Sequence, residues 1–200
     1  MNKLYPIIRG WINTAFVILL PAAGQSYAGG LNVEMSANIL NGTCLTQISN
    51  GGSVGLGTVG KDYFRDETTP DTYQGGGKTF TVTLHDCGAG ADSSAIRLNM
   101  TFTPRSGQFA SGTTQVFPNE IAAMDDGAQN VGIVIDKVDA GGSTLNVWSA
   151  RGQTQATYTL TSAELEDSIY TFYTRYQKVG LDAVTPGRVT SNIIVDVYYE

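Results

Sequence analysis

Short runs of alternating apolar and polar residues dominate this chain and limit what it can fold into. Seven runs are rich in Val, Ile, Thr, Tyr and Phe: residues 78–87, 95–103, 131–138, 144–148, 156–161, 169–179 and 191–200. Gly, Asn, Asp, Ser or Pro bounds the runs, and these residues suit turns. A period of two indicates half-buried strands, whereas helical periodicity is nearly absent outside residues 162–167. The sequence therefore predicts an all-β fold, with a β-sandwich as its architecture.

The first 28 residues have the pattern of a secretory signal peptide. Lys3 and Arg9 precede an apolar run at residues 11–20, which is too short to cross a bilayer core of about 30 Å. Pro21 ends that run, and Ser26 and Ala28 place small residues at the −3 and −1 positions of the cleavage site that we expect after Ala28. Cleavage after Ala23 and a buried N-terminal helix are the alternatives to this interpretation.

Removal of this peptide would leave 172 residues and change the net charge from −6 to −8, because the peptide carries Lys3 and Arg9 but no acidic residue. No second apolar stretch approaches membrane length. Nucleic-acid binding relies on clusters of Lys and Arg that pair with phosphates. The remaining chain has no such cluster, so we expect no nucleic-acid partner.

The expected mature chain contains two cysteines, Cys44 and Cys87. In an exported protein an isolated pair usually forms a disulfide. A bridge closing a loop of this length stabilises the fold by roughly 4 kcal/mol in the chain-entropy estimate. A pair of buried free thiols is the alternative. His85 is the only histidine, and no second Cys or His lies near Cys44 in the sequence. We therefore expect no metal site, and we also expect no cofactor.

Motifs that could indicate an enzyme lack the required context. Residues 55–60 match G-x-G-x-x-G, but residues 61–70 have no apolar stripe for the helix that dinucleotide binding needs. Asp125 and Asp126 resemble a turn, and the acidic residues at 164–167 resemble a solvated face. The serines carry no nucleophile elbow. We therefore predict no catalytic residue, and an exported hydrolase is the least favoured hypothesis.

Both ends of the expected mature chain look like strands that need a neighbour. Ahead of Cys44, one side of an alternating arm carries Leu31, Val33, Met35, Ala37 and Ile39. At the other end, Ile193, Val195, Val197 and Tyr199 alternate with other residues up to Glu200. Unless another segment covers it, such a terminal strand is an exposed sheet edge, which proteins normally avoid.

Together these features resemble the subunits of chaperone–usher fimbriae of the type 1 kind. The resemblance spans the signal peptide, the alternating arm, Cys44, the strand F-x-V-x-L-x-D-C that ends at Cys87, and the terminal strand. Gly187, fourteenth from the end, and Tyr199, next to last, match the family's C-terminal pattern. Ala37 departs from it, because the family usually has glycine at this arm position.

The resemblance implies an incomplete immunoglobulin-like sandwich at residues 43–200, with one disulfide, preceded by a donor-strand extension at residues 29–42. In such subunits a periplasmic chaperone lends a strand to an apolar groove. At the outer-membrane usher, the arm of the next subunit replaces that strand, so the fimbria grows head to tail on the cell surface and supports adhesion.

The resemblance also assigns residues to this mechanism. The donor strand would use Leu31, Val33, Met35, Ala37 and Ile39. The groove edge, which also binds the chaperone, would include Gly187, Ile193, Val195, Val197, Tyr199 and Glu200. The carboxylate of Glu200 would meet basic residues of the chaperone.

A tip adaptor or adhesin that contacts a host receptor or sugar directly is the alternative function. Adhesins of this family usually place a lectin domain before the pilin domain. The expected mature chain instead begins with a donor-type arm and has only 172 residues, which favours a structural subunit. Residues 61–77 form the loop that could contact a receptor. The arm is short, so it resembles that of minor or adaptor subunits as much as that of rod subunits.

Overall fold

The computed structural model describes residues 32–39, 44–87, 95–142, 144–147 and 154–199. Its strands are β1 Asn32–Ile39, β2 Leu45–Ile48, β3 Ser53–Gly55, β4 Lys78–His85, β5 Ile96–Pro104, β6 Phe117–Pro118, β7 Val131–Val138, β8 Thr144–Asn146, β9 Gln155–Leu160, β10 Ile169–Lys178 and β11 Ser191–Tyr199. One helical turn, α1 Ser162–Leu165, and short 3₁₀ turns at Ser49–Gly52 and Lys61–Tyr63 complete the described elements. The expected signal peptide, Leu31 and Glu200 lie outside the described residues.

The strands form two sheets, which confirms the predicted all-β class. The first sheet has the order β3-β1-β11-β5-β9, and the second has the order β2-β4-β10-β7-β6, with β8 also paired to β7. Every pairing is antiparallel except that of β1 with β11. Within the described part of the chain, no helix is long and apolar enough to span a membrane.

Each of the seven predicted runs contains a strand, and the expected helical turn is α1. Three strands were not predicted: β2, β3 and β6. They have only four, three and two residues, so alternation is too short to be seen in them. The glycine-rich residues 55–60 end β3 and continue as irregular chain, as expected for strand and turn residues.

The core lies between the two sheets and is built from the inward side of each strand. Phe102 of β5 packs edge-on against Phe172 of β10, with ring centroids 4.9 Å apart. Phe80 of β4, the strand partner of Phe172 in the second sheet, stacks on its ring at 5.4 Å. Such aromatic pairs add to the stabilisation that their buried area already provides. The contact between Phe102 and Phe172 holds the first sheet, which contains β11, against the second.

The disulfide predicted between Cys44 and Cys87 is present and joins the residue before β2 to the end of β4. The α1 segment packs beside it. The Cys87 N–H donates to a carboxylate oxygen of Glu166 at 3.0 Å, and Leu165 is fully buried. The bridge therefore fixes the point at which the N-terminal arm joins the sandwich.

Residues 61–77, which we call the cover loop, lie against the outer side of the second sheet. They are held there by Arg175 of β10, whose side chain is completely buried. Its Nη2 donates to the carbonyl oxygens of Thr69 at 3.0 Å and Thr72 at 2.8 Å, and its Nη1 donates to Oε1 of Gln177 at 2.6 Å. A buried charge is tolerated only when it is paired and hydrogen-bonded, and these carbonyls provide the bonds.

Asp136 of β7 supplies negative charge near this guanidinium. Asp136 is only 3% exposed. Burial raises the pKa of Asp136 to about 6, and the charge of Arg175 opposes that rise. Since the folded-state pKa lies above the ordinary value, the contribution of Asp136 to stability is complete below about pH 3.8 and is lost as the pH rises through 6.

We expect Asp136→Asn to change the pH dependence of stability. Between pH 4 and pH 7 the wild-type protein should lose up to about 3 kcal/mol relative to the variant, because only the wild type ionises a buried carboxyl group. Urea unfolding of both proteins across this range measures the difference. Parallel pH profiles for the two proteins would contradict the assignment.

Candidate functional site: the groove beside β11

Strand β11 lies inside the first sheet, between β5 and β1. Its alternation is the one predicted: Ile193, Val195 and Val197 are buried, whereas the residues between them are partly exposed. Tyr199 is half-buried and packs against the core. The antiparallel partner β5 satisfies one side of the strand, from Ile193 opposite Pro104 to Tyr199 opposite Leu98. The other side depends on the N-terminal arm.

The arm strand β1 runs parallel to β11 along this second side. Val33, Met35, Ala37 and Ile39 pair with Ser191, Ile193, Val195 and Val197, in that order. The four donor residues that the structure describes are thus in register with the inward-facing positions of β11. Leu31, the fifth, lies outside the described residues. In the isolated chain, the edge predicted to need a neighbour is covered by the chain's own arm.

Strand β3 pairs with the other edge of β1 and reverses the chain direction. Its pairing is antiparallel, with Val33 opposite Val54. Cys44 comes five residues after Ile39, which pairs with Val197, and it directly precedes β2 of the second sheet. Only residues 40–43 connect β1 to this fixed point. The arm is therefore joined to the sandwich covalently by one short linker and is held there by its pairing with β11 and β3.

The start of β11 is held by a buried asparagine that the sequence did not single out. Oδ1 of Asn119 accepts the Thr190 N–H at 2.9 Å, and its Nδ2 donates to the carbonyl oxygens of Ala128 at 2.7 Å and Arg188 at 3.0 Å. Asn119 is only 7% exposed. A lone asparagine beside a proline looks like an ordinary turn residue, so nothing in its sequence context indicated this role.

Gly187, identified from the C-terminal pattern, lies where two backbone segments meet. Its φ of 153° is unfavourable for residues with a side chain. A Cβ atom there would lie 2.4 Å from the Ala128 nitrogen and 2.8 Å from the Asp126 carbonyl oxygen. The neighbouring Arg188 N–H donates to that Asp126 oxygen at 2.7 Å. Glycine is thus required for close packing of the chain entering β11.

A cavity of about 300 Å³ opens at this end of the groove. One wall comes from residues 57–61 and Phe64, which follow β3, and another comes from residues 184–187 and Val189, which precede β11. Its apolar lining includes Val59, Phe64, Val131, Tyr176, Val184 and Val189. The Tyr176 hydroxyl donates to the Gly57 carbonyl at 2.8 Å, which ties the first wall to β10. The cavity thus continues the line of the groove beyond Ser191.

Comparison with known proteins agrees with these features. The family described as "Fimbrial protein" matches residues 33–200. The chain is also 38% identical to the uncharacterised fimbrial-like protein YadK of Escherichia coli strain K12, over 202 aligned residues that cover 100% of this chain and 98% of that protein. The chain belongs to the fimbrial protein family, and it is a fimbrial subunit.

Among solved structures, the chain is similar to the CupB6 tip adhesin of Pseudomonas aeruginosa. The TM-score is 0.45 and the identity is 12%. The match covers 84% of this chain but only 40% of the adhesin chain.

We expect Gly187→Ala to destabilise the protein by roughly 2 kcal/mol or more, because the added methyl group overlaps backbone atoms that side-chain rotation cannot move. Gly75→Ala is the matched control, since a Cβ atom there has no other atom within 4 Å and the backbone φ is not positive. Thermal unfolding of both variants provides the comparison. Equal melting temperatures would show that the packing around Gly187 is not required.

Proposed function

We propose that this chain is a structural subunit that polymerises head to tail by donor-strand exchange. A periplasmic chaperone would keep the groove beside β11 covered and deliver the subunit to an outer-membrane usher. There the arm of the next subunit would enter the groove. The product would be a fimbria on the cell surface that supports adhesion, and neighbouring subunits, of this or another type, would be the lasting partners.

The observation that carries this proposal is the pairing of β11. One side of the strand is bound by β5, which is part of the sandwich. The other is bound by the N-terminal arm, which residues 40–43 join to Cys44 and which also pairs with β3. Unpaired backbone groups beside a buried apolar strand are costly. A subunit with such an edge needs a strand from somewhere, and an equivalent arm on a neighbour offers the same alternating side chains.

Strand orientation gives a physical reason for exchange to proceed. The chain's own arm pairs with β11 in parallel, and parallel pairing is slightly less stable per residue than antiparallel pairing. The arm of a neighbour is free to enter in the antiparallel direction. It would bury about four aliphatic side chains, at roughly 1.5–3 kcal/mol each. The same apolar positions of the arm would thus close the groove within a monomer and, more stably, join neighbouring subunits in the polymer.

A mature chain that lacks residues 29–42 should require a chaperone for recovery and should then bind a synthetic peptide of residues 29–42. The peptide should raise the melting temperature of the truncated chain by several degrees, because it restores the missing partner of β11. Differential scanning fluorimetry with and without the peptide measures the shift.

A peptide in which Val33 and Met35 are both replaced by Asp is the control, since it keeps the length and loses the apolar positions. A truncated chain that is stable alone and indifferent to the unmodified peptide would rule out strand exchange.

Direct receptor contact is the second candidate function, and the cover loop supports it. Arg175 and Gln177 hold the loop rigidly, and its outer surface forms a polar depression that includes Thr68, Thr72 and Tyr73. Tyr73 is 65% exposed, and its ring centroid lies 5.8 Å from that of Tyr173. An exposed aromatic ring on a rigid polar loop suits contact with a receptor.

If the cover loop binds a receptor, Tyr73→Ala should reduce adhesion of fimbriated cells by about tenfold and leave fimbria number unchanged. Met124→Ala is the control, because Met124 is another exposed large side chain outside the cover loop. Cell adhesion assays combined with fimbria counts by electron microscopy distinguish binding from assembly. Equal adhesion of cells that carry Tyr73→Ala or Met124→Ala would contradict receptor binding by the cover loop and favour a purely structural role.

A further inference from the structure

We propose that Lys137 protects the open edge of β9 from pairing with a second copy of this chain. Among the described strands, β9 is the last one of the first sheet and pairs only with β5. It lies on the other side of β5 from β11, so its edge is distinct from the groove. An exposed sheet edge offers backbone N–H and C=O groups with which another chain can pair.

The direction of the backbone groups shows which residues of β9 face the open side. The Thr154 carbonyl accepts an N–H of β5 at 2.8 Å, so the even-numbered residues bond towards β5. Gln155 points the other way, and its N–H donates to the Val147 carbonyl. The next outward backbone groups of the strand belong to Thr157 and Thr159, and both residues are exposed.

The sequence of β9 carries no charge that would discourage such pairing. Residues 154–161 read TQATYTLT, without a charged residue, a proline or a glycine. Short segments with high β-propensity, low charge and no proline are the ones that pair readily between chains. Protection of this edge therefore has to come from another part of the fold.

Lys137 of β7, in the second sheet, brings a positive charge to the edge. Its Nζ donates to the Thr157 carbonyl at 3.4 Å and lies 4.0 Å from the centroid of the Tyr158 ring. The ammonium group thus occupies an outward acceptor that strand pairing would use. A second strand laid on this edge would have to displace the ammonium or bury it unpaired, and burial of an unpaired charge is costly.

The strand that fits the unprotected edge is β9 of a second copy. Two antiparallel copies related by a two-fold axis at Tyr158 would place Thr157 of each copy opposite Thr159 of the other. The backbone groups of both threonines point outward, so each opposite pair can exchange its N–H···O bonds. The same axis would bring the two Lys137 side chains towards each other, so like charges also oppose the pairing.

Sedimentation velocity of the mature chain tests the role of the charge. Lys137→Met keeps an apolar stem over Tyr158 and removes the ammonium, so it should dimerise about tenfold more tightly than the wild type. Lys78→Met is the control, because Lys78 is exposed at the start of β4 and its loss changes the net charge equally. Equal dimerisation of the two variants, or none in either, would overturn the proposal.

A second substitution tests whether the dimer forms through β9. Thr159→Lys places a charge on β9 itself and should return Lys137→Met to the monomer. Thr103→Lys is the control, since Thr103 is an exposed threonine of β5 in the same sheet. A dimer that persists with Thr159→Lys, or that Thr103→Lys disrupts to the same extent, would place the interface elsewhere.

Hydrogen exchange locates the interface without a further substitution. In the Lys137→Met dimer, the amide groups of Thr157 and Thr159 should exchange about tenfold more slowly than in the wild-type monomer, because they are then hydrogen-bonded between chains. Exchange at residues 191–199 of β11 should be unchanged. Slower exchange at β11 alone would mean that the copies associate through the groove, which would overturn the assignment to β9.

Discussion

The backbone pairing of β11 is the interaction on which the rest of the groove depends. Ile193, Val195 and Val197 point into the core, and Val195 is completely buried, so the strand cannot leave the sheet without opening the sandwich. Its hydrogen-bonding groups must nevertheless be satisfied on both sides. The sandwich provides β5 on one side, whereas the partner on the other side is the N-terminal strand β1, which also pairs with β3. In the proposed strand exchange, the stability of the subunit and the assembly of the fimbria would depend on the same edge.

The two sheets differ in how their exposed parts are closed. The second sheet is covered by residues 61–77, and the fully buried Arg175 holds that cover through backbone carbonyls that come from the loop itself. The first sheet is completed by an arm that pairs with β11 and β3 through β-strand hydrogen bonds. The second sheet is thus covered by a loop, whereas the first is completed by the N-terminal strand on which the proposed strand exchange depends.

Most of the strands and the N-terminal arm could be predicted, because alternation of apolar and polar residues indicates which side of a strand is buried. The runs around β4, β5, β7, β10 and β11 indicated their strands, and the pattern Leu31 to Ile39 indicated the arm. The roles of Arg175 and Asp136 could not be seen, because a charged residue in an alternating strand normally faces solvent. The partners of Asn119 are also distant in sequence, at Ala128 and Arg188. Such contacts follow from the packed fold and not from local pattern.

The direction of β1 could not be predicted for a different reason. An alternating strand pattern reads the same in both directions, so the arm alone does not determine parallel or antiparallel pairing. In the structure the arm runs parallel to β11 and antiparallel to β3, and four residues join Ile39 to Cys44, which the disulfide fixes. Pairing direction is therefore set by contacts between strands that are distant in sequence, and an alternating pattern does not record such contacts.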